Sequence, residues 1–373
     1  MLPRQSTSSC RVRKLPGDAY QSAARGASHT NVVSRQVDRH GRLPKSTRRI
    51  LAALTLALAA NPWNGRAWAQ EEAARTIPSR ILPVPDTVSP ALQKLIGQPL
   101  SPPQEIPRTA EEWRALVNQP PPRDSSRRFA AFCDKFGVAV APRVIGGVPC
   151  YTVTPNAVRP INRNRLLLGL HHGGWVGGAG EGGLTEAVVV AGLIGVKVIS
   201  VDYRLLPDHP FPAAMDDAMA VWKEVIKMAT PENIAVFGSS VGGAMVLSLV
   251  QCARREGLPL PGAVMSGSPW SDLSKTGDSY YTNDGVDGDL SYNGFWEAVA
   301  RLYANGRDLK DPLISPVYGD FRRFPPTYLV TGTRDLFLSN TVRVHQKLLQ
   351  AGVPSQLEVE EGQFHMNYLD AAT

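Results

Sequence analysis

At 373 residues, with 43% hydrophobic side chains, the chain can form one large or two ordinary domains and is apolar enough to pack a core, which excludes an intrinsically disordered class. The formal charge of +7 is unevenly spread: residues 1 to 69 hold 12 Lys/Arg against 2 Asp/Glu, and the remainder holds 28 against 31. Basicity confined to the first fifth leaves the folded part no phosphate-tracking surface, so a nucleic-acid partner is set aside.

In chain order, residues 1 to 45 are polar, rich in Arg and Ser, and without apolar periodicity. Arg48 and Arg49 then stand directly before an apolar run, Ile50 to Ala60, which is too short to span a bilayer. Ala67-Trp68-Ala69 offers a small-residue cleavage site before Gln70. This pattern resembles a twin-arginine export signal, so residues 1 to 69 are expected to be a leader and the mature protein to be periplasmic or secreted. An amphipathic or buried helix is the alternative. Beyond the leader lie Cys133, Cys150 and Cys252; an odd number leaves at least one thiol free, and Cys133 with Cys150 is the one pairing considered. No metal-binding spacing is present, and no cofactor is expected.

Residues 70 to 143 are Pro-rich, with two short helix signatures. Ser89-Pro90 opens one as N-cap and first-turn proline, closed by Gly97. Thr109 with Glu112 forms a capping box ahead of Trp113, Leu116 and Val117. Pieces this small cannot bury a core alone, so they are expected to lie as a cap across something larger.

From Val144 onward, apolar runs alternate with helical patterns. Strands are expected at Cys150 to Val153, Leu166 to Leu170, Val196 to Val201, Ile234 to Phe237, Ala263 to Met265, Tyr328 to Thr331 and Leu357 to Glu360. Helices are expected around Ala187 to Gly192, Ala213 to Met228, Gly242 to Glu256 and Asn340 to Ala351. Such alternation implies a doubly wound α/β domain over 144 to 373, its mostly parallel sheet covered on both faces. Residues 280 to 311, with a helix around Phe295 to Tyr303, are expected to add to the cap.

Gly238-Ser239-Ser240-Val241-Gly242 sits between an expected strand and an expected helix, the context a nucleophile elbow requires. A serine needs a base, and the base an orienting acid. Of the five histidines beyond the leader, His365 alone follows a strand in a loop at a sheet edge, and Asp335 follows Tyr328 to Thr331 and Gly332 in the same manner. The order Ser240, Asp335, His365 is that of an acyl-transfer triad on such a sheet. Donors for the oxyanion are expected from Gly173 and Gly174, in His171-His172-Gly173-Gly174-Trp175, together with the Val241 N–H. A phosphate-cradling turn is the alternative for that loop, but no Walker lysine or dinucleotide spacing accompanies it.

Four stretches carry a family resemblance: the His171 to Trp175 loop, Asp202-Tyr203-Arg204-Leu205-Leu206-Pro207-Asp208-His209-Pro210-Phe211-Pro212-Ala213-Ala214, the elbow with Gly243, and Ser268-Pro269-Trp270-Ser271-Asp272-Leu273. Over roughly residues 80 to 370 the sequence resembles the hormone-sensitive-lipase family of α/β-hydrolases, of bacterial carboxylesterase and lactone-hydrolase type. The resemblance implies an N-terminal helical cap over the acyl pocket and hydrolysis of short- to medium-chain esters, with lactones opened by some relatives. It also implies that Asp202, Tyr203 and Arg204 brace the oxyanion loop. Trp175 and Trp270 are expected to shape the substrate pocket. In three places the sequence departs from the family: His172 stands for a glycine, Ser239 stands for the commoner Asp or Thr, and eight residues follow His365 where relatives continue into a helix. The last departure predicts an uncovered face on the final strand and a His365 loop short of a downstream anchor.

The expected function is therefore a serine hydrolase cleaving carboxylic esters or lactones through an acyl-enzyme. Its partner is a small-molecule substrate, and no stable membrane span is expected once the leader is removed. Two alternatives use the same scaffold: an amidase with the same triad, and a non-catalytic ligand-binding member resembling the plant gibberellin receptors, which lack a working histidine.

Overall fold

The computed structural model describes residues 77–370. The expected leader, with Arg48, Arg49 and the Ala67-Trp68-Ala69 site, lies outside the described residues. All the elements below belong to one compact unit that begins at Pro83.

The first helix, α1 (Pro90–Ile96), starts where Ser89 Oγ accepts the Leu92 N–H at 3.1 Å and stops at Gly97. The next, α2 (Ala110–Val117), is capped by Thr109 Oγ1, which accepts the Glu112 N–H at 3.2 Å. The returning bond of the expected capping box goes to Arg108 instead, whose N–H meets the Glu112 carboxylate. A third helix, α3 (Ser125–Phe136), was not anticipated from sequence. Its signals are there: Phe129, Phe132, Cys133 and Phe136 at helical spacing, and a left-handed Gly137 as C-cap.

The sheet begins earlier than expected. Strand β1 (Val138–Ile145) pairs antiparallel with β2 (Val148–Pro155), so a domain boundary at 144 would cut through its first strand. The missed signal is Gly146-Gly147, whose φ values of 60° and 81° make the two-residue turn that a right-twisted hairpin favours. The remaining strands are β3 (Leu166–Leu170), β4 (Lys197–Val201), β5 (Ile234–Ser239), β6 (Ala263–Gly267), β7 (Thr327–Gly332) and β8 (Ser355–Glu360). Their order is β1-β2-β4-β3-β5-β6-β7-β8; β2 runs antiparallel to both neighbours, and every pair from β4 to β8 is parallel.

Parallel strands need crossovers, supplied by α4 (Thr185–Ile194), α5 (Ala213–Met228), α6 (Val241–Arg255) and α9 (Leu338–Gln350). Alternate strand residues feed two cores. Val153, Val198 and Phe237 pack with Leu184, Val188 and Ala191 on the α4 side. Cys150, Ile199, Val201 and Val236 join the larger core around α5 and α6. This two-sided burial explains why the strands read as continuous apolar runs. Cys133, Cys150 and Cys252 are all buried and none is in a disulfide among the described residues, so the pairing of Cys133 with Cys150 does not occur. They serve as small apolar core residues; burial pushes Cys150 up to about 12.

Between β6 and β7 lie α7 (Ser279–Thr282), a turn over Tyr292–Trp296 kinked at Asn293 and Gly294, and α8 (Glu297–Ala304). Trp113 of α2 meets Phe295 with ring centroids 5.5 Å apart, so α2 packs on this insertion, whereas Phe129, Phe132 and Phe136 of α3 pack on the α4 side of the sheet. At the far edge, β8 is only partly covered and Val359 is 40% exposed. No helix among the described residues is long and apolar enough to cross a membrane.

Candidate active site

Ser240 joins β5 to α6 with φ 57° and ψ −123°, a strained conformation for a non-glycine residue. Three backbone bonds hold it there: its N–H donates to Gly267 at 2.9 Å, and its carbonyl accepts from Ala244 and Trp270. The flanking glycines make so tight a turn feasible. A Cβ on Gly238 or Gly242 would collide with the Leu170 carbonyl of β3. The result is a hydroxyl raised above the carboxyl end of the sheet, at the start of a helix.

Asp335, three residues past β7, is fully buried. Its Oδ1 accepts from the Phe337 N–H at 2.8 Å and the His365 Nδ1–H at 3.2 Å, and its Oδ2 accepts from Thr331 Oγ1 at 2.6 Å. Burial alone would raise its pKa, but the hydrogen bond and charge of His365, with the two other donors, hold it below the usual carboxylate range. His365, beyond β8, is shifted the opposite way. Burial lowers an imidazole's pKa, yet Asp335, Asp287 and Asp289 outweigh it and raise this one.

The loop after β3 is rigid for reasons its sequence only half reveals. His171 lies buried and stacked on Tyr203 at 3.9 Å, its Nδ1–H donating to the His172 carbonyl at 2.7 Å; burial lowers it to about 4, so it stays neutral. Tyr203 OH donates to the His171 carbonyl at 2.7 Å, and Asp202 accepts the Gly180 N–H at 3.0 Å. Arg204 is tied bidentately to Asp217. Thus Tyr203 and Asp202 hold the loop directly, while Arg204 anchors the chain entering α5. Gly173 (φ 111°) and Gly174 (φ 64°) adopt left-handed backbone, and their N–H groups donate to no protein acceptor among the described residues. Both glycines border the same cavity as Ser240. Val241 opens α6 one residue after Ser240, in the first turn where helix N–H groups have no intrahelical acceptor.

That cavity, about 130 Å³, is lined by Ser240, His365, His172, Gly173 and Gly174 and walled by Trp270, Trp296, Phe337, Leu290 and Met366. Trp270 occupies the place expected of it. Trp175 does not: it is fully buried, stacked on Tyr303 at 3.6 Å, with its Nε1–H toward Met245 Sδ. It packs in the core behind the loop and is not among the residues that line the cavity. Trp296, unmarked in the sequence, takes the pocket wall, and a Cβ on Gly174 would strike its ring.

Two buried acids also escaped sequence analysis because neither lies near a motif. Glu186 on α4 accepts from Ser239 Oγ at 2.8 Å, and Ser239 accepts in turn from Tyr368 OH at 2.9 Å. Asp287, from the insertion, accepts the N–H groups of Leu336 and His365. Tyr368 and Asp287 therefore anchor the His365 loop from within, which corrects the expectation that it is short of an anchor. No cluster of three or more potential metal ligands occurs among the described residues.

Comparison with known proteins agrees with this geometry. The sequence profile of a family described as "alpha/beta hydrolase fold" matches residues 167–369. The chain is 30% identical to an acetyl-hydrolase of Streptomyces hygroscopicus over 57% of its own length and 72% of that protein. It is also 30% identical to an ethyl acetate hydrolase of Pseudomonas putida, covering 58% and 70% of the two chains. Among solved structures, it superposes on esterase E25 with a TM-score of 0.76 at 45% identity, over 80% of this chain and 93% of that one. An esterase of the bacterial hormone-sensitive lipase family matches with a TM-score of 0.62 at 26% identity, over 77% and 93%.

Proposed function

The chain belongs to the α/β-hydrolase-fold family, in its hormone-sensitive-lipase branch, and is a carboxylic ester hydrolase; we propose that it works through an acyl-enzyme on Ser240, with His365 as general base and Asp335 as its orienting acid. The observation that carries this assignment is the convergence on one small cavity of a strained, raised serine, a histidine bonded to a buried carboxylate, and two glycines whose N–H groups meet no protein acceptor among the described residues.

Chemically, Ser240 Oγ attacks the ester carbonyl while its proton passes to His365 Nε2, the ring nitrogen not engaged with Asp335. Negative charge develops on the carbonyl oxygen, which the N–H groups of Gly173, Gly174 and Val241 are assigned to receive. His365 then gives its proton to the departing alkoxide, releasing the alcohol and leaving an acyl-serine. Water, deprotonated by the same imidazole, completes hydrolysis. The imidazolium formed twice in this cycle is stabilised by Asp335, whose carboxylate stays ionised.

A cavity of about 130 Å³ is well below the 300–1,000 Å³ typical of drug-sized ligand sites, and its walls are aromatic. Both features favour a short acyl group, at the lower end of the short- to medium-chain range. A lactone is an ester whose alcohol stays tethered, so the same steps open it, and we include small lactones as substrates. Export through the leader at Arg48 and Arg49, with cleavage after Ala69, is proposed on the sequence pattern alone; N-terminal sequencing of secreted protein tests it.

Turnover of nitrophenyl esters of increasing acyl length, several lactones and one matched amide tests the substrate class. Labelling by a fluorophosphonate tests the serine. Failure of the folded protein to label would point to a non-catalytic binding member instead.

A further inference from the structure

Asp287 is 2% exposed and lies far in sequence from all three triad residues, in the insertion between β6 and β7. Each of its oxygens is used. Oδ2 accepts the N–H of Leu336, next to the acid Asp335, at 2.8 Å and the N–H of the base His365 at 3.3 Å. Oδ1 accepts the N–H of Asp289 at 2.9 Å and of Leu290, a wall of the substrate cavity, at 3.0 Å. Four residues before Asp287, Asn283 completes the tie: its Nδ2 donates to the carbonyls of Asp335 at 2.8 Å and Thr333 at 3.2 Å, while its own carbonyl accepts the Asp287 N–H at 2.9 Å.

Asp335 and His365 stand on loops from different strands, and their direct contact is one 3.2 Å bond, toward the long end of the range. Other bonds join those loops further out, such as Arg334 N–H to the Gln363 carbonyl at 3.0 Å. Asp287 differs from them in holding the backbone of the base itself. It is also a second carboxylate beside the imidazole, a negative charge there when ionised. The ionisable groups facing His365 are Asp335, Asp287, Asp289 and His172; the three carboxylates favour the imidazolium, and His172 responds to its charge. Burial and the charge of Asp335 push Asp287 up to about 7, while His365 and the N–H donors pull it back. All four hydrogen-bond partners of its carboxylate are donors, which suits the ionised form.

We propose that Asp287 is a positioning residue for the ester hydrolysis: one carboxylate fixes the acid loop, the base and the cavity wall at Leu290 together, and supports the imidazolium formed in the reaction. This rests on the acyl-enzyme reading of Ser240. It assigns the insertion a second role, as the support of the acid–base pair in addition to part of the cap.

The test compares Asp287→Asn and Asn283→Ala with wild type and Ser240→Ala, using an acetate ester, full pH profiles, and thermal melting to establish folding. Asparagine sets an NH2 group against two N–H donors and removes the charge. We expect Asp287→Asn to lower kcat roughly 10- to 100-fold with KM changed less than about threefold, and to move the acid limb of kcat/KM to lower pH. Asn283→Ala cuts the tie to the acid loop but keeps every charge, so kcat falls about 10-fold and the limb stays in place. Unchanged kcat in folded Asp287→Asn overturns the proposal. So does a loss without the limb shift, which would reduce Asp287 to packing. Should Asp287→Asn not fold, Asn283→Ala decides: wild-type kcat overturns the proposal, and a loss at unchanged KM and limb supports it. Turnover surviving in Ser240→Ala would instead refute the acyl-enzyme reading itself.

Discussion

Ser239 Oγ donates to Glu186 Oε1 across 2.8 Å, so the residue just before the nucleophile is tied to a fully buried acid on α4. Burial, opposed by the Ser239 bonds, pushes this carboxyl up to about 7. A carboxyl pKa raised on folding means that the folded state disfavours the charged form. Stability is then highest below the unfolded value near 4.5, falls as pH rises toward 7, and levels off above it. Glu186→Gln keeps the acceptor for Ser239 without the charge. We expect it to melt higher than wild type above pH 7, by on the order of 1–3 kcal/mol, and to lose the slope between pH 4.5 and 7. Parallel melting curves for the two proteins across that window would show that Glu186 carries no such linkage.

Removing the nucleophile has the largest expected effect. Ser240→Ala lowers kcat on the order of 10⁶-fold, and Asp335→Asn roughly 10⁴-fold because the imidazole loses its correct tautomer. Each substitution keeps nearly the volume of the side chain, and the melting curve establishes folding. Steady-state turnover of an acetate ester beside a melting curve checks the pair, and near-wild-type kcat in either one contradicts the assigned roles.

The base must be neutral to take the Ser240 proton, and its surrounding carboxylates raise its pKa despite burial. Activity is therefore lost as pH falls through a value above the ordinary histidine 6.5, and kcat/KM has its acid limb there. An acid limb at or below 6.5 would mean that desolvation, not Asp335, governs His365.

Trp296 stands over Gly174 at the wall of the cavity. Trp296→Ala should lengthen the acyl space, raising the octanoate-to-acetate ratio of kcat/KM by roughly tenfold or more. Gly174→Ala should act on chemistry instead: its Cβ meets the same ring from left-handed backbone, and displacing that N–H costs about 10²-fold in kcat. An acyl-chain profile identical to wild type in Trp296→Ala would remove it from the specificity determinants.

The sequence by itself determined the order of elements from β2 onward, the elbow at Ser240, and the placement of Asp335 and His365 beyond strand ends. Each of these is local: glycine punctuation, two-residue or helical periodicity, and a strand followed by a loop are written in consecutive residues. It underspecified β1, because Gly146-Gly147 stands within a stretch that resembles the Pro-rich cap before it. Only tertiary structure decided which buried side chains serve the site. Trp175 and Trp270 were both expected at the pocket, yet Trp175 stacks on Tyr303 in the core, while Trp270 reaches the cavity. Glu186, Asp287 and Tyr368 act across separations of 53, 78 and 129 residues, on Ser239, His365 and Ser239 in turn. No local pattern encodes a partner that only the crossing of distant elements brings within hydrogen-bond reach. For that reason the proposed triad of Ser240, Asp335 and His365 was legible in the chain, and the buried network around it was not.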